Sequence, residues 1–298
     1  MKVYSRINEL PTGRASEKIT KGCLVLEGGA FRGLYTQGFL DAMMLNDINL
    51  SCVIGVSAGA LSGVNYVSGQ IGRSGRINLT YRHDSRYVGP KALLHSRSFL
   101  DISFLTEDRG ILEPFDSYRF FTSKQRFIAV ATNCLTGNAT CFEKGKSNNI
   151  FAGIRASATM PYISPMVNIN GTPYLDGGCS CKIPYSWALQ NDFEKIVVIR
   201  TRDIEYRKPE KFSMAALRRY RKYKAFARKL SRDNFIYNHQ CDEIESFHEE
   251  GRLLRMAPSK EVTVSRVEGD MEKLGDLYWL GYNDCIDRLE EIKNYLEK

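Results

Sequence analysis

Several things are scarce in this sequence of 298 residues, and each shortage removes a class of protein. No apolar run approaches the roughly 20 residues that a membrane-spanning helix needs. Met1 to Lys21 is polar and lacks the apolar core of a secretory signal. The expected location is therefore cytoplasmic, with a peripheral position at the inner membrane face as the variant to keep in view. The eight cysteines are scattered, and only Cys179-Ser180-Cys181 is close-spaced. Without paired C-x-x-C sets no zinc site is expected, and the thiols read as buried and free in a reducing compartment. No metal and no cofactor is expected. Gly28 and Gly33 have the spacing of a phosphate-binding loop but lead into Leu34-Tyr35 instead of Lys-Ser/Thr, and the G-x-G-x-x-G fingerprint is missing as well. Acidic residues are in deficit, with 34 Asp and Glu against 42 Lys and Arg, a net charge of +8. That balance favours an anionic partner. No nucleic-acid-binding motif accompanies it, so a lipid surface is the more natural counterpart and nucleic acid is not expected.

What is present is an ordinary globular composition, 43% apolar and 26% charged, in a chain long enough for one large α/β domain with or without an extension. Lys21 to Glu27 reads as a buried strand, followed by Gly28-Gly29-Ala30-Phe31-Arg32-Gly33 and a helix with Tyr35, Phe39, Ala42 and Leu45 on one face. A second strand, Cys52 to Gly55, runs through Ser57 into another helix. Two strand–loop–helix units in succession argue for a parallel sheet with covering helices. Residues 70–125 read as a loop-rich cap with short helices. Gln125 to Thr132 and Lys195 to Ile199 read as strands, Ile150 to Thr159 as a helix, and Val167 to Leu175 as a hairpin turning at Asn170-Gly171. Beyond Arg200 come a basic stretch at 211–232 with an apolar stripe (Ala216, Tyr220, Tyr223, Ala227, Leu230), an acidic helix from Asp242 to Glu250, strands at Leu253 to Met256 and Val262 to Val264, and a closing helical stretch from Met271 to Leu296.

Three segments carry chemistry. Gly55-Val56-Ser57-Ala58-Gly59 is a G-x-S-x-G pattern between a strand and a helix, the setting in which a tight elbow lifts a serine hydroxyl clear of the sheet. Read blandly, it is a turn with a capping serine. The Gly28–Gly33 loop opens a helix, so its amides can converge on an anion and, beside an elbow serine, form an oxyanion hole; alternatively it only tightens a crossover. Asp176-Gly177-Gly178 closes a hairpin, where Asp is a common turn residue, or else holds a carboxylate within reach of Ser57.

These three segments, in this order, resemble the patatin-like phospholipase family. The resemblance runs from about residue 22 to 200, while Arg255-Met256-Ala257-Pro258-Ser259 and the Lys273 to Gly281 stretch are similar to the C-terminal extension of one bacterial branch. It implies a three-layer α/β/α fold with a mostly parallel central sheet, spanning 22–200 after a lead-in at 1–21, and a smaller mixed, mainly helical extension at 201–298. It also implies hydrolysis of a lipid or other acyl ester by a Ser57–Asp176 dyad without histidine. The oxyanion donors would come from the backbone around Gly28, Gly29 and Ala30, with Arg32 and Gly33 in the same loop, Gly55 and Gly59 framing the serine, and Gly177 and Gly178 holding the aspartate. The family usually has a third glycine where this chain has Ala30, and alanine disfavours positive φ.

Two other readings stay open at this level. The order Ser57, Asp176, then His239 or His248 matches a conventional triad, although both histidines stand in polar, helix-like surroundings. The chain could also be a non-catalytic anionic-lipid-binding module on a hydrolase scaffold, contacting membrane through 211–232; the plain alternative for that segment is a solvated helix face.

Overall fold

The structure is a computed structural model that describes residues 2–106 and 113–297. A two-stranded sheet, β1 (Gly13–Arg14) with β4 (Gln70–Ile71), sits apart from the main one. The main sheet holds β2 (Thr20–Leu26), β3 (Leu50–Val56), β5 (Arg126–Asn133), β6 (Ala139–Glu143), β7 (Val167–Ile169), β8 (Thr172–Asp176), β9 (Ile196–Ile199) and β10 (Leu254–Met256). Their order is β10-β9-β2-β3-β5-β8-β7, with β6 on β5. The five strands from β10 to β5 are parallel, and β6, β7 and β8 form antiparallel pairs.

The central strands read as unbroken apolar runs because both faces are covered. On one face Leu24, Leu26, Val53, Val197 and Ile199 join the core under α1 (Gly33–Leu45) and α2 (Ala58–Val67). On the other face Cys23, Val25, Ile54, Val130 and Val198 pack with α8 (Tyr185–Gln190) and α11 (Asp233–Glu249). This is the expected three-layer α/β/α arrangement. Among the described residues between β4 and β5 are four short helices, α3 (Arg73–Tyr81), α4 (Pro90–Ser96), α5 (Ser103–Thr106) and α6 (Ser117–Thr122). These are short helices within the stretch read from sequence as a loop-rich cap at 70–125, of which 107–112 lies outside the described residues. α7 (Ile150–Ser157) follows β6.

The C-terminal third is woven into the same core. β10 extends the parallel sheet, and α12 (Met271–Asp287) crosses α1 backbone to backbone, where a Cβ on Gly38 would stand 2.0 Å from the Tyr278 carbonyl oxygen. α13 (Leu289–Glu297) closes the chain. The basic stretch forms two helices, α9 (Met214–Arg219) and α10 (Lys224–Ser231), with Ala216, Tyr220, Ala227 and Leu230 buried in a third cluster beside Leu175 and Cys179. The acidic helix begins at Asp233, not Asp242. Val262 to Val264 is not a strand. Val262 and Val264 are buried and Thr263 is exposed, as in a strand, but among the described residues no strand pairs with them, and the Val262 carbonyl accepts from the Arg202 guanidinium.

Candidate active site

β5 acts as the ruler that brings two distant segments together. Val56, the last residue of β3, pairs with Val130, and Asp176, the last residue of β8, pairs with the next residue, Ala131. Two strands thus end on adjacent rungs of one neighbour, and Ser57 emerges beside Asp176. The Ser57 side chain lies in the same cavity as the Asp176 carboxylate, close enough to favour its ionised form. Ser57 has φ 55° and ψ −121°, a sparsely populated positive-φ backbone that costs a non-glycine residue about 1–3 kcal/mol and that turns the side chain out of the strand. Its amide is held by the Ser157 hydroxyl at 2.9 Å.

Asp176 is 8% exposed. Its Oδ1 accepts from the Gly178 amide at 2.8 Å, its own amide donates to the Thr159 carbonyl, and its carbonyl accepts from the Thr132 hydroxyl. Burial pushes its pKa above the usual carboxylate value, against the opposing pull of the Ser57 and Gly178 hydrogen bonds and of the Lys182 and Arg266 charges. A carboxylate lifted in this way is a better proton acceptor than one in water.

The Gly28–Gly33 loop lies across from the serine, and its amides divide into two sets. Gly28 donates to the Lys182 carbonyl, Phe31 to Arg266, Arg32 to Gly29, and Gly33 to Ala30 and Phe31. The Gly29 and Ala30 amides have no partner among the described residues. The set of donors expected from sequence therefore narrows: Gly28, Arg32 and Gly33 spend their amides on shaping the loop. Ala30 does adopt the left-handed backbone that its methyl disfavours, at φ 51°. The glycines Gly55 and Gly59 lie where α2 meets the sheet; a Cβ on Gly59 would meet the Leu26 carbonyl oxygen at 2.5 Å. Gly177 lies against the Val130 carbonyl, again with no room for a side chain.

Two cavities meet at Ser57, Ala30, Met160, Arg266 and Val267. The smaller, about 50 Å³, is a mainly apolar slot lined by Leu61, Tyr87, Val88, Phe99, Leu100 and Ala158 among others. The larger, about 470 Å³, contains Asp176 and is strongly basic. Lys182 and Lys208 share Asp233, at 2.5 and 3.1 Å, and burial brings the Lys208 pKa down to about 7. Sequence reasoning did not pick out Ser157, Lys182, Arg202, Lys208 or Arg266. They come from four segments with no motif, and the excess of basic residues was the one available signal.

None of the four histidines lines either cavity. His239 is exposed and pairs with Glu243 at 3.3 Å, and His248 faces the Leu253 carbonyl, so neither completes a triad with Ser57. Among the described residues no group of His, Cys, Asp and Glu could hold a metal ion, and no helix is long and apolar enough to cross a membrane.

Comparisons place the chain among known proteins. Residues 219–297 match a domain of unknown function, DUF6363. The uncharacterized protein YjjU of Escherichia coli (strain K12) is 30% identical over 183 residues, which cover 60% of this chain and 51% of YjjU; the chain thus aligns with about half the length of that curated relative. VipD from Legionella pneumophila is a solved structure that overlays on 95% of this chain and 70% of its own, with a TM-score of 0.49 and 14% identity. The patatin-like phospholipase profile matches residues 24–189, from the strand before the glycine loop to beyond the aspartate. With more than half of its length matched in this way, the chain belongs to the patatin-like phospholipase family.

Proposed function

We propose that the protein is a serine acyl hydrolase acting on lipid esters, with Ser57 as nucleophile and Asp176 as its base. The observation that carries this reading is the convergence at one cavity of a half-buried serine on a strained backbone, a buried carboxylate beside it, and two unpartnered amides. Ser57 Oγ attacks the ester carbonyl carbon while its proton passes to Asp176, and the carbonyl oxygen gathers negative charge. The Gly29 and Ala30 amides suit that oxyanion. The tetrahedral adduct collapses as Asp176 returns the proton to the departing alcohol, leaving an acyl-serine. Water, deprotonated by Asp176, then releases the acid and restores Ser57.

The two cavities divide the substrate. The apolar slot suits the acyl chain and the basic cavity the polar end. The surface around the larger cavity supports peripheral contact with an anionic membrane: Lys211 lines it, the adjoining Phe212 and Met214 are 60% and 71% exposed, and Tyr162 and Ile163 add apolar surface at its wall. Arg218, Arg219, Lys224 and Arg228 of α9 and α10 are exposed as well, and apolar and basic surface together is the mixture that anchors proteins to anionic bilayers.

The reading is tested by a hydrolysis panel of short and long acyl esters and phospholipids, run with the parent, Ser57→Ala and Asp176→Asn proteins. Both variants should remain folded by circular dichroism and lose at least 99% of turnover. A fully active Asp176→Asn would overturn the dyad, and a parent inert towards every ester would favour a non-catalytic lipid-binding module.

A further inference from the structure

The larger cavity holds more positive charge than a dyad requires. Six cations line it (Arg32, Lys182, Arg202, Lys208, Lys211 and Arg266) against three carboxylates. None of those carboxylates is free. Asp176 serves Ser57, Asp233 is shared by two lysines, and Glu27 accepts from the Thr201 amide at 2.6 Å. The side chain of Arg32, a residue 8% exposed, makes no hydrogen bond or ion pair among the described residues, and its Nε is buried without a partner. Burial and the neighbouring charges of Arg202 and Arg266 bring its pKa down to about 10. Arg202 likewise keeps a buried, unpartnered Nε. Arginines crowd together in this way, with donors left over, where an anion completes the set.

We propose that Arg32, Arg202 and Arg266 form a phosphate-binding subsite beside Ser57, which takes the phosphate of a lipid head group carrying no cation. This rests on the acyl-hydrolase reading of the same cavity and adds the class of head group. A zwitterionic head group would have to place its ammonium somewhere in the cavity, and its usual partners are already taken. The ring of Tyr206 is covered by the Arg202 guanidinium at 4.4 Å, and that of Tyr237 by the Lys208 ammonium at 4.6 Å. Tyr162 leans on Tyr220 with ring centroids 5.5 Å apart. An acidic phospholipid supplies the missing negative charge and asks for no cation site.

The test is binding to the full-length Ser57→Ala protein, measured by titration calorimetry below the micellar concentration. The ligands are dihexanoyl phosphatidate, dihexanoyl phosphatidylcholine and inorganic phosphate. Phosphatidate should bind at least about tenfold more tightly than phosphatidylcholine, about 1.4 kcal/mol, and inorganic phosphate should compete with it. Arg266→Gln, at an exposed position that tolerates change, and Arg202→Gln should each bring the ratio below about threefold. Lys18→Gln, exposed and outside the cavity, should leave the ratio as it is. Equal binding of the two lipids, or an unchanged ratio in both arginine variants, overturns the subsite. Binding of inorganic phosphate without any preference between the lipids overturns the head-group assignment and leaves a site for free phosphate. The readout needs no turnover. A parent that hydrolyses both lipids alike defeats this inference and spares the hydrolase reading, whereas selective binding by an inert parent does the reverse.

Discussion

Gly59→Ala separates what a helix prefers from what this site needs. Gly59 is the second residue of α2, and inside a helix alanine is favoured over glycine by about 1 kcal/mol. Local propensity alone therefore predicts a more stable protein. The added methyl, however, would stand 2.5 Å from the Leu26 carbonyl oxygen and 2.8 Å from that of Glu27. These are backbone atoms that cannot swing aside, so α2 must retreat by about 0.9 Å to reach an ordinary 3.4 Å contact. Overpacking of this kind costs about 1–3 kcal/mol, enough to cancel the gain in propensity and leave a net loss of about 1 kcal/mol. The melting temperature should fall by about 2–4 °C. Ser57 is the N-cap of the same helix, and displacing a reacting group by about 1 Å can cost 10²-fold in rate. Thermal unfolding and kcat/KM on a short-chain ester measure the two effects. Gly63→Ala in the same helix is the comparison, since the nearest atoms its methyl would meet are side chains, those of Val53, Phe127 and Leu26 at 3.0, 3.1 and 3.5 Å, and it should cost less than threefold in rate. A Gly59→Ala protein as stable and as active as Gly63→Ala would refute the reasoning.

Three further outcomes follow from the same geometry. Ala30→Gly relieves a left-handed alanine worth about 1–2 kcal/mol but frees the unfolded chain by about 0.4–1 kcal/mol, so chemical denaturation should show a net gain of about 0.5 kcal/mol. Because burial raises the Asp176 pKa, the acid limb of kcat/KM should lie above the value of about 3.9 for an unperturbed aspartate. The same shift means that ionised Asp176 costs the fold stability, so Asp176→Asn should melt higher than the parent at pH 7.5, where the variant carries no buried charge at that position. Asp41, raised to about 7 by burial between the Tyr278 hydroxyl and the Gly72 amide, stabilises the fold when protonated. Its contribution is full below about pH 4 and is lost as pH rises through about 7. Asp41→Asn should remove the part of the stability profile that falls between those limits.

Much of the fold was legible because buried parallel strands announce themselves as apolar runs. β2, β3, β5 and β9 and the Asn170-Gly171 hairpin lie where the pattern put them. The Val262 to Val264 segment was misread for a physical reason: its alternating burial arises from packing on the core without a strand partner, and periodicity cannot tell the two apart. Ser57, Asp176 and the glycine loop were singled out because their three short motifs, in this order, resemble those of the patatin-like family, while each motif alone read equally as a turn. Arg202 and Arg266 of the basic cavity were not, because each is a single charged residue far from the three motifs in sequence. Ser157, which holds the Ser57 amide from 100 residues away, left no trace in the sequence at all.

The central claim is that Ser57 is an activated nucleophile, and a fluorophosphonate probe followed by peptide mass spectrometry tests it most directly. The folded parent should carry one adduct, on Ser57, while Asp176→Asn should label at least tenfold more slowly and Ser57→Ala not at all. A folded parent that takes up no label at Ser57, or one that labels equally well with Asp176 replaced, would contradict the account.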